Sequence, residues 1–155
     1  MPARLYSASQ SAQAITAAVD LFHITVATDK PIRLYWLELY QTTDLGDAAE
    51  EIIGIGIYRG ISGGGGGTAL TEVSLDSQDT ITPGTAVVGQ GTASTGGTLT
   101  HLIGWNIRQA GPIWVPIPEL RPRVSAAEDP IAFRLMAAPA DSITVSSTVY
   151  WSEGE

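Results

Sequence analysis

Apolar residues alternate with polar or small ones over most of the chain, and a period of two marks extended strands whose successive side chains point to opposite faces. Leu21 to Val26 predicts one strand. Pro31 to Thr42 predicts a long one that opens on its proline, where a missing N–H disturbs the ladder least. This long segment sorts into Ile32, Leu34, Trp36, Glu38 and Tyr40 on one side and Arg33, Tyr35, Leu37, Leu39 and Gln41 on the other. Both sides carry large apolar groups. One is expected in a core and the other under a second cover, either a loop or another chain. Ile53, Ile55 and Ile57 alternate with Gly54, Gly56 and Tyr58, so one face is bulky and the other bare enough for a backbone or an aromatic ring to approach closely. Leu99, His101, Ile103, Trp105 and Ile107 share a face in the next candidate, Thr98 to Ile107. Ile131, Phe133 and Leu135 alternate with Ala132, Arg134 and Met136, and Ile143, Val145, Val149 and Trp151 with Thr144, Ser146, Thr148 and Tyr150. Shorter candidates lie at 71–74, 85–90 and 113–117.

About eight or nine short strands separated by turn residues imply a sandwich or barrel. The expectation is an all-β fold, a jelly-roll-like antiparallel β-sandwich over residues 19–155, preceded by an N-terminal arm at 1–18. The arm segment is rich in Ser, Thr, Gln and Ala and has weak periodicity, which suits an extended arm or an edge strand. The one helical candidate is a turn or two at Asp44 to Glu51, capped by Asp44 or Asp47. Two glycine-rich stretches, Gly63 to Gly67 and Gly89 to Gly97, read as flexible exposed connections. Gly111-Pro112-Ile113-Trp114-Val115-Pro116-Ile117-Pro118 reads as the opposite, a stiff, extended, apolar segment that serves either as an edge strand or as a docking surface.

Composition sharpens this picture. The 155 residues suffice for one domain with a real core. Only 15% of them are charged, against a usual share of about 25%. With a single lysine, Lys30, much of the surface must be Thr, Ser, Gly and Ala or must meet another subunit. The formal net charge is -8 and the seven arginines are scattered, so no basic stripe exists to neutralise phosphates. Neither nucleic acid nor an anionic membrane is expected as a partner. The absence of cysteine excludes disulfides and thiolate metal sites. Met1 to Tyr6 lacks the apolar stretch of a secretory signal and no apolar run reaches spanning length, so a cytosolic product is expected.

Candidate chemistry is sparse. Gly60-Ile61-Ser62-Gly63-Gly64 matches G-x-S-x-G, but a nucleophile elbow needs a strand-to-helix turn and His and Asp partners, and here glycines follow. Gly64-x-Gly66-x-x-Ala69 lacks the βαβ setting of a dinucleotide site. His23 and His101 each stand alone, with Leu21 and Thr25, or Leu99 and Ile103, at the positions where a second ligand would fall. Asp44, Asp47, Glu50 and Glu51 lack the alternation of a calcium loop. No catalytic residue, metal site or cofactor is expected. Trp105 and Trp151 read as core, whereas Trp36 and Trp114 read as interface residues or a sugar-stacking platform. Tyr6 on the arm, Tyr35, Leu37 and Leu39 on the second face of the long strand, and Arg121 beyond the proline-rich run complete the interface candidates.

The segments from Gln41 to Glu51, Tyr58-Arg59-Gly60 with the glycines after it, Trp114 to Glu119 and Ala137 to Ser146 resemble a group of small structural proteins of tailed bacteriophages and prophages, in order and wording, from about Tyr6 to Trp151. The resemblance implies a β-sandwich cement or decoration protein, a homotrimer on the outer face of an icosahedral head that binds the major capsid protein and has no catalytic residues. A carbohydrate- or receptor-binding sandwich, such as a fibre head, is the other expectation.

Overall fold

A computed structural model describes residues 4–43, 51–125 and 130–154. Twelve strands form two antiparallel sheets packed face to face. They are β1 (Arg4–Ile15), β2 (Val19–Thr25), β3 (Ile32–Gln41), β4 (Ile52–Arg59), β5 (Thr68–Ala69), β6 (Glu72–Ser74), β7 (Ala86–Thr92), β8 (Thr98–Asn106), β9 (Ile113–Trp114), β10 (Arg123–Val124), β11 (Ile131–Leu135) and β12 (Ile143–Glu153). The first sheet runs β10-β3-β12-β1-β6, with β9 also on β3, and the second runs β5-β7-β2-β11-β4-β8. Pairing is nested, β1 with β12, β2 with β11, β3 with β9 and β10, and β4 with β8. A long hairpin rolled up in this way, with successive nested pairs alternating between the two sheets, is the jelly roll. Residues 60–97 are an insertion between β4 and β8. Its strands β5, β6 and β7 extend both sheets on the side of β1 and β2.

Every nested ladder except the short one on β9 and β10 contains a register shift, and these shifts decide which side chains enter the core. In β3, Tyr150 of β12 faces Trp36 but Trp151 faces Leu34, so Tyr35 is the extra residue. The alternation changes phase there. Ile32, Leu34, Leu37 and Leu39 are all buried, while Trp36 and Tyr40 are exposed. The two apolar faces expected of this strand are therefore one interior face split by a bulge, and no second cover is needed for Leu37 and Leu39. A shift between Ile57 and Tyr58 does the same to β8. Trp105 and Ile107 go inward as expected, but Leu99 turns outward at 44% exposure.

The core lies between the sheets. Tyr6 stacks on Trp151 (6.0 Å), Phe22 meets Phe133 edge-on (6.2 Å), and Trp114 reaches from β9 to Phe133 on the opposite sheet (6.1 Å). The Gln10 amide, buried within it, donates to Leu21 O and to Ser147 Oγ, both at 2.9 Å.

Three sequence expectations need correction. The segment read as an N-terminal arm is extended, but from Arg4 to Ile15 it is an interior strand between β12 and β6. The Gly63–Gly67 connection is held rather than loose. Ser62 and Thr95 exchange backbone bonds (3.0 and 2.9 Å) and Thr92 N donates to Gly65 O (3.0 Å). Gly63 to Gly66 all have φ between 62 and 77°, a left-handed path that side chains other than glycine resist. The proline-rich run is a strand only at Ile113–Trp114. The expected helical turn at 44–51 lies outside the described residues except for Glu51.

Candidate interaction surfaces

The seven interface candidates fall into three groups. Tyr6, Leu37 and Leu39 are at most 2% exposed and belong to the core, which corrects their assignment. Tyr6 faces Trp151 because β1 is a sheet strand, and its hydroxyl donates to Ile81 O (3.1 Å). Burial, with Glu153 and Asp79 nearby, raises its pKa. Trp114 is half-buried, its ring edge-on to Phe133 and 5.2 Å from His101, so it closes the sandwich rather than offering a flat platform. Trp36, Tyr35 and Arg121 do lie together on the outside of the first sheet. The Arg121 guanidinium sits 4.1 Å from the centre of the Tyr35 ring, and its Nε donates to Pro116 O (3.3 Å).

Trp36 keeps Glu38 and Tyr40 on its face, as the period-two reading gives them, and pairing with β12 adds a ring from another strand. Tyr150 lies opposite Trp36 in the ladder, with ring centres 5.7 Å apart at 50°. Tyr40 is 52% exposed two places beyond Glu38 on the same strand. Burial raises the Tyr150 pKa, and the Glu38 carboxylate adds to the effect. Ser9 and Thr148, whose hydroxyls are 2.9 Å apart, continue the row containing Glu38. The result is a touching pair of aromatic rings, a further exposed tyrosine and a carboxylate beside hydroxyls, on a surface open to solvent.

Next to this face, the chain from Ala110 to Val124 runs along the edge of β3. Ala110, Pro112 and Pro122 accept bonds from Gln41 N, Leu39 N and Leu34 N (3.1, 3.2 and 3.0 Å). Prolines present no N–H outward, so this edge is blunted. The segment also exposes Ile113, Val115, Ile117 and Leu120 to between 53 and 66%.

The outer face of the second sheet has two halves. Over β4 and β8, the side chains of Leu99, Leu102 and Met136 lie on Gly54 and Gly56, and the Tyr58 ring reaches Gly56. This is the close aromatic approach that the bare glycine face predicts. Over β2 and β11, the two glycine-rich stretches cover a polar cluster. Asp20, wholly buried, accepts from Ser94 N (3.0 Å) and Ser94 Oγ (3.1 Å) and stands 3.7 Å from Arg134 Nε and from His23 Nδ1. Arg134 also donates to Ser94 Oγ (2.7 Å) and lies over the Tyr58 ring. The cluster ties the loops to the sheet. Ser94 and His23 both contact Asp20 but not each other, so no proton relay from serine to histidine is formed.

Ser62, the elbow serine by sequence, bonds only to Thr95 among the described residues. Glu51 uses its carboxylate to accept from Ala140 N (2.9 Å), while Asp44, Asp47 and Glu50 fall outside the described residues. Among the described residues no three His, Asp or Glu side chains gather as metal ligands, and no helix is long and apolar enough to cross a membrane. The larger described depression, about 490 Å³, lies beside the Arg4–Asp79 ion pair (2.8 Å) and holds no histidine. Neither a protein-family model, nor a curated protein, nor a solved structure matches this chain.

Proposed function

We propose that this protein is a non-enzymatic virion component that decorates the outer surface of a bacteriophage head and stiffens it by bridging major capsid subunits. One observation carries the reading: a rigid jelly roll with few charges bears a stiffened apolar rim, Ile113, Val115, Ile117 and Leu120, exposed along the edge of β3. Apolar side chains on a proline-stiffened backbone lose little conformational freedom on docking, which suits a surface meant to be covered. Repetition by symmetry multiplies weak contacts of this kind, because each later contact is made within an assembled lattice. The net charge of -8 suits the outside of a shell, away from packaged DNA. The sequence resemblance to small tailed-phage structural proteins points the same way.

Mass spectrometry of purified particles tests this. Stoichiometric copies are expected, with rebinding to stripped heads lost when Ile117 and Leu120 are both changed to Asp. Absence of the protein from particles overturns it.

A second reading is favoured by the Trp36–Tyr150 pair beside Glu38, a solvent-open arrangement of rings and an acceptor that suits saccharide stacking. It predicts saccharide binding on a glycan array that Trp36→Ala abolishes. Trp114 has no part in it, since its ring is taken up by Phe133 and His101.

A further inference from the structure

The four lateral edges of the two sheets are not treated alike. Three end in strands of two or three residues, namely β9 and β10, β6, and β5. Where β1 extends beyond β6, its edge is broken by a bulge with Ala12 at φ 51°, and the Gln90 amide bonds to Ala14 O. The fourth edge is β8, nine residues from Thr98 to Asn106 with no charge and no proline. Among the described residues no strand pairs with its outer side, and only the carbonyl of its last residue, Asn106, is taken, by Gln109 N (2.9 Å). Long uncharged edges are what folded proteins ordinarily avoid, because the free N–H and C=O groups template a further strand.

We propose that β8 pairs antiparallel with β8 of a second copy of this chain, about a twofold axis at Ile103, joining the two six-stranded sheets into one. Charge selects the occupant. A chain of net charge -8 can meet itself closely only where no carboxylate lies, and β8 is such a place. Shape selects the register. Leu102 and Gly104 share the outer face, opposite Gly56 and Gly54 of β4. Leu102 is 63% exposed, and a Cβ built on Gly104 would meet nothing within 4 Å. Placing Ile103 opposite its own copy sets each Leu102 over the partner's Gly104, repeating the leucine-on-glycine contact that Leu102 already makes with Gly54 (3.1 Å to a built Cβ). The exposed Leu99, on β8 itself, doubles across the axis, while Met136 lies one strand further in, over Gly54 and Gly56 of β4. This pairing is independent of the capsid reading. Particles lacking the protein would leave it standing, and a monomer would leave the capsid reading standing.

The test is the mass of the purified protein by light scattering and by native mass spectrometry, across the micromolar range. A dimer is expected for the wild type. Gly104→Lys has room in the single chain and places like charges across the seam, so it should give a monomer with unchanged circular dichroism. Leu102→Lys, at an exposed position, should do the same if Gly104→Lys folds poorly. Because the chain has no cysteine, Ile103→Cys supplies a lone thiol that should give a disulfide-linked dimer under mild oxidation. Leu102→Cys, facing Gly104 of the other copy, should cross-link far less. A monomeric wild type, an oligomer unchanged by both lysine variants, or cross-linking at residue 102 in preference to 103 overturns the proposal.

Discussion

Replacing Asp20 by Asn removes one charge from the cluster under the glycine-rich loops while keeping the shape of the side chain. Breaking a buried ion pair by removing one partner costs about 3–5 kcal/mol when the other is stranded. Here the stranding is incomplete. Arg134 is 14% exposed and keeps its bonds to Ser94 Oγ (2.7 Å) and Gly96 O (3.3 Å). Asn still offers one acceptor to Ser94 N. The expected loss is therefore about 2–3 kcal/mol. For a chain of 155 residues this corresponds to a fall of about 5–10 °C in melting temperature, at about 2–4 °C per kcal/mol. Thermal melts followed by circular dichroism, with urea titrations at fixed temperature, give both quantities. The same substitution on an Arg134→Met background should cost less than on the wild type, since the two groups are coupled. A melting temperature that moves by less than about 2 °C, or strict additivity with Arg134→Met, would refute the view that Asp20 anchors the loops.

Three further outcomes follow from the geometry. Leu37→Ala should cost about 2–5 kcal/mol and its neighbour Trp36→Ala well under half as much, by urea denaturation; equal losses would show that the bulge at Tyr35 does not set the phase of β3. Gly67→Ala should destabilise strongly, because a Cβ there collides with Gly89 O and closes on Gly91 N (2.7 Å), whereas Gly65→Ala meets no atom within 4 Å and costs only the strain of its positive φ. Burial holds the His101 imidazole below its ordinary pKa, so the unfolded chain binds a proton more readily than the folded one. Stability is then complete above the usual histidine range and falls as pH drops through it, until the folded ring itself titrates. Urea midpoints between about pH 7.5 and 5.5 should show that slope, and His101→Phe should flatten it.

Alternation along the chain located nine of the twelve strands, including β12, whose inward set of Ile143, Val145, Val149 and Trp151 is the one the sequence predicts. It misplaced side chains wherever a bulge intervened. A single extra residue at Tyr35 turns Leu37 and Leu39 from apparent surface into core, and nothing in the letters around it marks the insertion. The missed strands fail for other reasons. The pairs Thr68–Ala69 and Arg123–Val124 are too short to carry a period, and β1 hides its own because a polar residue, Gln10, takes an inward position and bonds to Ser147 there. The glycine run misled in the opposite direction. Its composition promises freedom, but its conformation is fixed by bonds to Thr92 and Thr95 that lie some thirty residues away (|i−j| 33 for Ser62 to Thr95). Among surface groups, the contact of Tyr150 with Trp36 depends on the register of β3 against β12, which only the folded ladder displays.

The nested ladder has a consequence for how the molecule comes into being. Arg4 pairs with Glu153 and Ile15 with Ile143, so the first of these strands to be synthesised has the last of them as its longest partner. Until some hundred and forty residues have followed it (137 separate Gln10 from Ser147), the only strand ladder open to β1 is the three-residue one with β6. Closing such a long loop is entropically slow, and the half-made sheet waits with its edges open. Folding of the sandwich therefore waits for β12. Loss of β12 during synthesis would unseat β1, more than a hundred residues before it.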